Sequence, residues 1–389
     1  MGAKGEGFLK SWVEISKARL KENLRAIQSV AGAGVEVLAV VKANGYGHNA
    51  AICGPALVEA KAKWLGVSDV EEGALVRKQL GESSTRLLVM CGMELGDAPV
   101  MAQCGLTPVV WTVEHVAAME KAARAAGHRL DVHLEIDTGM SRQGAQVGAD
   151  LAAVAERLAG SRWVHCEGVM THLSCSEVAG SEVTMMQRER FAEAIEQILA
   201  AGIQPELVHL GNSSAVDEGS TMKWVRETAK KIGAKAMVRP GLAVYGMCLP
   251  IECGKGLLAA KLKPAMTWKT HVIGLREIEK GTSVGYGATF TARRKMRIAL
   301  LPVGYADGFR REASSGVGDG WVMIAGKKSK VVGRVSMNLT TVDVTGIDVQ
   351  VGSEVVLLGE GASAEDHARW AGTIAYDILC GVKGKFVAK

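Results

Sequence analysis

The chain has 389 residues, 48% apolar and 22% charged, which suits two or three folded domains and excludes a disordered chain. Lysines and arginines number 46 and aspartates and glutamates 41, and the resulting net charge of +5, without any block of like charges, excludes a nucleic-acid binder. Apolar runs as short as 37–41 exclude a membrane-spanning helix. The opening Met1-Gly2-Ala3-Lys4-Gly5-Glu6 is polar and lacks the apolar core of a secretory signal, and Glu6 stands where a myristoylation motif wants Ser or Thr. Eight cysteines form no CxxC pair and mostly lie in apolar stretches, so reduced thiols in a cytoplasmic enzyme are expected, with no disulfide framework and no metal site.

From about residue 35 the chain alternates between short β-branched runs and alanine-rich helical stretches. The strands are predicted at 35–41, 64–67, 86–90, 107–111, 130–136, 164–171, 207–210 and 236–238. Helices are predicted between them at 49–62, 70–80, 94–104, 113–127, 147–158, 182–202 and 216–233, with Thr112 and Ser181 as N-caps and Gly105, Gly127, Gly202 and Gly233 as stops. This pattern favours an α/β fold in the form of a (β/α)8 TIM-like barrel over an open doubly wound sheet. Gly32 and Gly34 precede their strand, so they are not a dinucleotide fingerprint. Past residue 257 the pattern becomes a mostly-β module, with strands predicted at 263–277, 297–303, 321–324, 330–334, 341–344 and 354–358, a helix at 363–372 and a last turn at 374–380. The boundary is placed near 255, giving a barrel over 1–255 and a C-terminal β domain over 256–389. Residues 1–15 are left open between the two.

A barrel puts its chemistry just past the carboxyl ends of its strands. There stand Lys42 after strand one, Asp137 to Arg142 after strand five, His172 after strand six, Asn212-Ser213-Ser214 after strand seven and Arg239-Pro240-Gly241 after strand eight. A lysine whose stem lies in the core and whose amine reaches the barrel mouth suits a Schiff base, although a lone rim lysine is as well read as a snorkelling one. Asn212 to Ser214 could present N–H groups to a phosphate or simply cap a helix. Arg239 could hold an anion or be structural, and His172 alone reads as a satisfied core histidine.

In chain order, these residues fall within Ala39-Val-Val-Lys42-Ala-Asn-Gly-Tyr46-Gly-His48, His133-Leu-Glu-Ile-Asp-Thr-Gly-Met-Ser-Arg142, Met170-Thr-His172, Asn212-Ser213 and Val238-Arg-Pro-Gly-Leu-Ala-Val-Tyr245-Gly. The β module continues with Ser283-Val-Gly-Tyr286-Gly, Val303-Gly-Tyr305-Ala-Asp-Gly, Gly333-Arg-Val-Ser-Met337-Asn and Ala375-Tyr376-Asp-Ile-Leu-Cys. The set resembles the alanine racemase family over essentially the whole chain.

The resemblance implies a barrel followed by a C-terminal β domain, working as a head-to-tail homodimer in which each active site draws on the partner's β domain. It implies pyridoxal 5'-phosphate as cofactor, held by Lys42, and two-base interconversion of L-alanine and D-alanine, supplying D-alanine for peptidoglycan. Lys42 would be one base and Tyr286, from the other subunit, the second. Arg239 would face the pyridine nitrogen, and His172 would bridge Arg239 and Tyr286. Tyr46, Asn212, Ser213, Gly241, Leu242 and Tyr376 would complete the cofactor site. Arg142 and the Met337 backbone would position the substrate carboxylate, and Tyr305 would narrow the entrance.

Three positions depart from the family's pattern. Glu135 stands where many relatives carry a carbamylated lysine, so a carboxylate is expected to orient Arg142 without carbon dioxide chemistry. Asn338 follows Met337 where aspartate is usual, and the segment from Asn212 to Arg239 is longer than usual, with a mixed-charge helix over 217–231. A racemase of broader range, including serine, is the nearest alternative. A D-amino-acid lyase or aldolase would need a metal site, for which the β module offers only His271, His367 and Cys380. A non-catalytic pyridoxal-phosphate carrier would need no β domain.

Overall fold

The structure, a computed structural model, describes residues 9–389; the polar opening at residues 1–6 lies outside them. The chain divides into two compact units, one comprising residues 18–45 and 50–263, the other residues 9–17, 46–49 and 264–389.

The first unit is the expected barrel. Its strands are Glu36–Val40, Trp64–Val67, Arg86–Val89, Leu106–Val110, Leu130–Asp137, Val164–Met170, Leu207–Gly211 and Lys235–Val238. Each pairs in parallel with the next, and the last pairs with the first through Met237 opposite Glu36 and Val238 opposite Val37, which closes the cylinder. Every residue of Trp64–Val67, Leu106–Val110 and Leu207–Gly211 is buried, as strands covered on both faces must be. The helices begin where side chains can satisfy free N–H groups: Thr112 Oγ1 accepts from His115 N and Ser181 Oγ from Thr184 N, each at 3.2 Å. The mixed-charge stretch is two helices, Ser213–Glu218 and Ser220–Lys231, broken at Gly219, where φ is +90°. Among the described residues no helix is long and apolar enough to cross a membrane.

The second unit is mostly β, as expected, but its strands are shared differently. The run predicted at 263–277 is two strands in two sheets. Met266–His271 lies in a six-stranded sheet, and Gly274–Ile278 lies in a three-stranded sheet with Met296–Leu301 and Thr340–Asp343. Between them Val272 N donates to Ser353 O and Ile273 N to Leu300 O, both at 2.9 Å, so the chain changes partner within two residues. The strand predicted at 330–334 is Lys327–Lys330, an edge strand paired with Trp321–Ile324, and its lysines hide the apolar alternation while blunting the edge. Ser11–Ile15 joins this unit, pairing antiparallel with Met266–His271 and parallel with Lys385–Ala388.

Candidate active site

In the barrel unit Lys42, Arg142, His172, Asn212, Ser213, Arg239, Gly241 and Leu242 follow the carboxyl ends of their strands, while Glu135 lies inside the Leu130–Asp137 strand. Lys42 does not extend the first strand. The chain turns left-handed there, with φ of +53° at Ala43 and Asn44, +68° at Gly45 and +51° at Tyr46. Side chains other than glycine resist that region by about 1–2 kcal/mol each, so the turn survives only because its surroundings hold it. Lys42 is half-buried, and its Nζ donates weakly to Cys91 Sγ at 3.8 Å.

Arg239 is 3% exposed. Its Nη2 donates to Thr171 O at 2.7 Å and to His172 Nδ1 at 3.3 Å, and its Nη1 donates to His209 Nδ1 at 2.9 Å. With Nδ1 accepting, His209 Nε2 donates to His133 Nδ1 at 2.9 Å, and His133 Nε2 donates to Glu167 Oε2 at 3.1 Å. Burial pushes both of these histidines down, so they are neutral and the chain of bonds runs one way, from guanidinium to carboxylate. Burial would raise Glu167, but the hydrogen bonds from His133 and Arg86 and the charge of Arg86 outweigh it and hold its carboxyl low.

His172 is pushed down to about 3 by burial and by the positive charges of Arg239, Arg142 and Lys42, so it too is a neutral imidazole. Arg239 is lowered to about 10 by burial, with Glu135 working against the fall and Arg142 with it, and it keeps its proton at neutral pH. The deep mouth therefore carries fixed guanidinium charge beside neutral imidazoles.

Glu135 is buried and its carboxyl is raised, by burial first, against the Gln143 hydrogen bond and the charges of Arg239 and Arg142. Its close partner is the Gln143 amide, which also donates to Met90 O at 2.8 Å. Arg142 is exposed and coupled to Glu135 through charge, whereas the hydrogen bond that Glu135 accepts comes from Gln143. Two buried donors converge on one oxygen at the start of the Ser213–Glu218 helix. Gly241 N and Ala243 N donate to Ser213 Oγ at 3.0 and 3.1 Å, so the hydroxyl proton is left to point elsewhere. Asn212 caps that helix through Ala215 N at 2.9 Å and takes a bond from Ser176 Oγ at 2.8 Å.

The second unit brings together Tyr46 and Tyr376, whose ring centroids lie 5.8 Å apart. Tyr305 and Met337 are joined through their backbones, with Tyr305 N donating to Ser336 O at 3.1 Å and Ala306 N to Met337 O at 2.9 Å. Tyr286 caps the small hairpin of Ser283–Val284 and Phe290–Thr291 and is 71% exposed, while Met337 is 56% and Tyr305 43% exposed.

Sequence reasoning missed His209, Gln143 and Gln187. Gln187 donates to His172 O at 2.9 Å and to Thr138 Oγ1 at 3.2 Å. The one available signal was a histidine amid the buried run Leu207–Gly211, which by itself reads as core. Among the described residues no group of three or more metal-ligating side chains gathers.

Residues 15–248 match the N-terminal domain of alanine racemases and residues 265–388 the C-terminal domain. The chain belongs to the alanine racemase family. It is 37% identical to an alanine racemase of Symbiobacterium thermophilum over 382 residues, covering 97% of this chain and 96% of that protein. The alanine racemase structure from Streptomyces coelicolor A3(2) superposes with a TM-score of 0.85 at 32% identity, covering 97% of this chain and 98% of the other. That from Bartonella henselae, described with covalently bound pyridoxal phosphate, gives a TM-score of 0.82 at 26% identity, covering 97% and 99%.

Proposed function

We propose that the chain is an isomerase, an alanine racemase that uses pyridoxal 5'-phosphate and works as a homodimer. Within the barrel the observation that carries this reading is Arg239. Its Nε is a buried donor with no acceptor among the described residues, although both other nitrogens are bonded. A buried unpaired donor is costly, and the pyridine nitrogen of the cofactor is an acceptor of the kind it lacks. The free hydroxyl proton of Ser213 suits a phosphate oxygen in the same way. The residues therefore fit the group.

Lys42 would hold the cofactor, with Tyr46, Asn212, Ser213, Gly241, Leu242 and Tyr376 around it. When bound, pyridoxal phosphate acidifies the α-C–H of an amino acid joined to it. Arg239 would donate to the ring nitrogen while keeping its own proton at neutral pH, which would favour proton return over side reactions. His172, held neutral, accepts from Arg239 and adds no charge of its own. Racemisation needs a base on each face of the α-carbon. Lys42 Nζ serves one face, and the Tyr286 phenol, supplied by a second copy of the chain, serves the other. The exposure of Tyr286, Tyr305 and Met337 in the single chain supports that use. Arg142 and the Met337 backbone would take the substrate carboxylate, and Tyr305 would narrow the entrance.

The test is chiral chromatography of L-alanine, and in parallel L-serine, incubated with pure protein and pyridoxal phosphate. Conversion of alanine to an enantiomer ratio near one is expected. Serine converted as fast as alanine would favour the broader-range racemase, and loss of either substrate to a keto acid or aldehyde would contradict the reading.

A further inference from the structure

The lysine that the proposed function depends on is displayed by a turn that resists its own conformation. Ala43, Asn44 and Tyr46 are all left-handed, and Asn44 is the residue in which the bonds holding the turn meet. Its side-chain Oδ1 accepts from Ala50 N at 2.9 Å, closing the turn onto the start of the Ala50–Glu59 helix. Its backbone N donates to Glu72 Oε1 at 2.7 Å. The other oxygen, Glu72 Oε2, accepts from Ser68 N at 2.8 Å and Ser68 Oγ at 2.7 Å. One carboxylate in the first turn of the Val70–Leu80 helix thus ties the loop after the second barrel strand to the loop after the first.

We infer that Glu72 is a positioning residue for Lys42, fixing the amine for attachment to the cofactor's aldehyde by clamping the left-handed turn through Asn44. Only a carboxylate does this. It has an acceptor on each side and no hydrogen of its own, whereas a glutamine of the same shape would turn N–H groups towards either Asn44 N or the Ser68 donors. A shorter or absent side chain would let the turn relax towards right-handed backbone and swing the amine with it, and a displacement of about 1 Å is enough to cost attachment about a hundredfold. The inference rests on the reading of Lys42 above.

The test compares wild type, Glu72→Gln, Asp69→Ala and Lys42→Ala for the dissociation constant of pyridoxal phosphate, for borohydride-trapped cofactor on the Lys42 peptide by mass, and for melting of the cofactor-free protein. Asp69→Ala is the structural control, because Asp69 Oδ1 caps the same helix through Glu72 N at 2.8 Å and its Oδ2 competes with Glu72 Oε2 for the Ser68 hydroxyl at 2.7 Å, while neither oxygen bonds Asn44. Glu72→Gln is expected to weaken cofactor binding by about tenfold to a hundredfold, the effect of losing a charge-assisted bond. Trapped Lys42 should fall in step, while Asp69→Ala melts lower with nearly unchanged affinity. Equal affinity in Glu72→Gln and wild type, or losses in Glu72→Gln and Asp69→Ala that simply follow their melting points, would overturn the inference and leave the role of Lys42 intact. Cofactor trapped undiminished in Lys42→Ala would instead overturn the reading on which it rests.

Discussion

Arg239 shows how one residue's surroundings are set by residues that never reach the mouth. Its guanidinium is paired through His209 and His133 to Glu167, which lies at the Arg86 end of the barrel, where Arg86 Nη2 donates to Glu167 Oε2 at 2.9 Å and stacks on Trp64 at 4.4 Å. The arginine was legible from its place in the Arg-Pro-Gly turn. The histidines were not, because a buried histidine in a strand has the same sequence signature whether it packs or relays a hydrogen bond. Glu135 is the other residue whose context decides its role. A lysine at this place could take up carbon dioxide, but a carboxylate paired with Gln143 cannot. Catalytic rate should therefore be unchanged between carbon-dioxide-depleted buffer and buffer with added bicarbonate, and a rise with bicarbonate would show a modified group that this chain has no residue at 135 to supply.

At the scale of elements, the barrel strands and their helices were readable because each carries a periodic signal of its own, and the caps at Thr112 and Ser181 announce themselves. The β module was less so. Its strands are short, several alternate only weakly, and a strand such as Met266–His271 is defined by partners far along the chain, Ser11–Ile15 and Glu354–Leu358. The left-handed turn after Lys42 was hidden for a different reason, since Ala43 and Tyr46 have no preference for that backbone and take it only under outside restraint. The loop that carries Tyr305 is set by closeness instead. A Cβ added at Gly304 would lie 2.0 Å from Ser336 O and 2.6 Å from Met337 O, backbone atoms that cannot move aside alone. Gly304→Ala should lower the melting point by about 5 °C or more, through a cost of several kcal/mol, and should separate Tyr305 from Met337. A melting curve superimposable on wild type would refute that packing.

Across the whole molecule, buried neutral histidines set the acid limit. His172 is depressed to about 3 and His367 to about 4, both chiefly by burial, and His133 and His209 are lowered in the same way. In the unfolded chain a histidine titrates near 6.5, so below that pH the unfolded state binds protons that the folded state refuses. Stability present above pH 6.5 should therefore fall by about 1.4 kcal/mol per pH unit for each of His172 and His367 as pH drops towards 4, with His133 and His209 acting in the same direction. Thermal melts between pH 7 and 4.5 should show a steep decline, and a flat profile would mean that these imidazoles are protonated in the fold.

The pairing of Lys42 with Tyr286 is the claim on which the rest depends, and isotope exchange reaches it most directly. Wild type and Tyr286→Phe are each incubated in deuterium oxide with pyridoxal phosphate and either L-alanine or D-alanine, and deuterium at the α-carbon is followed by mass spectrometry. Two bases on opposite faces predict that the variant loses exchange from one enantiomer far more than from the other. Equal losses from both enantiomers would contradict the two-base assignment.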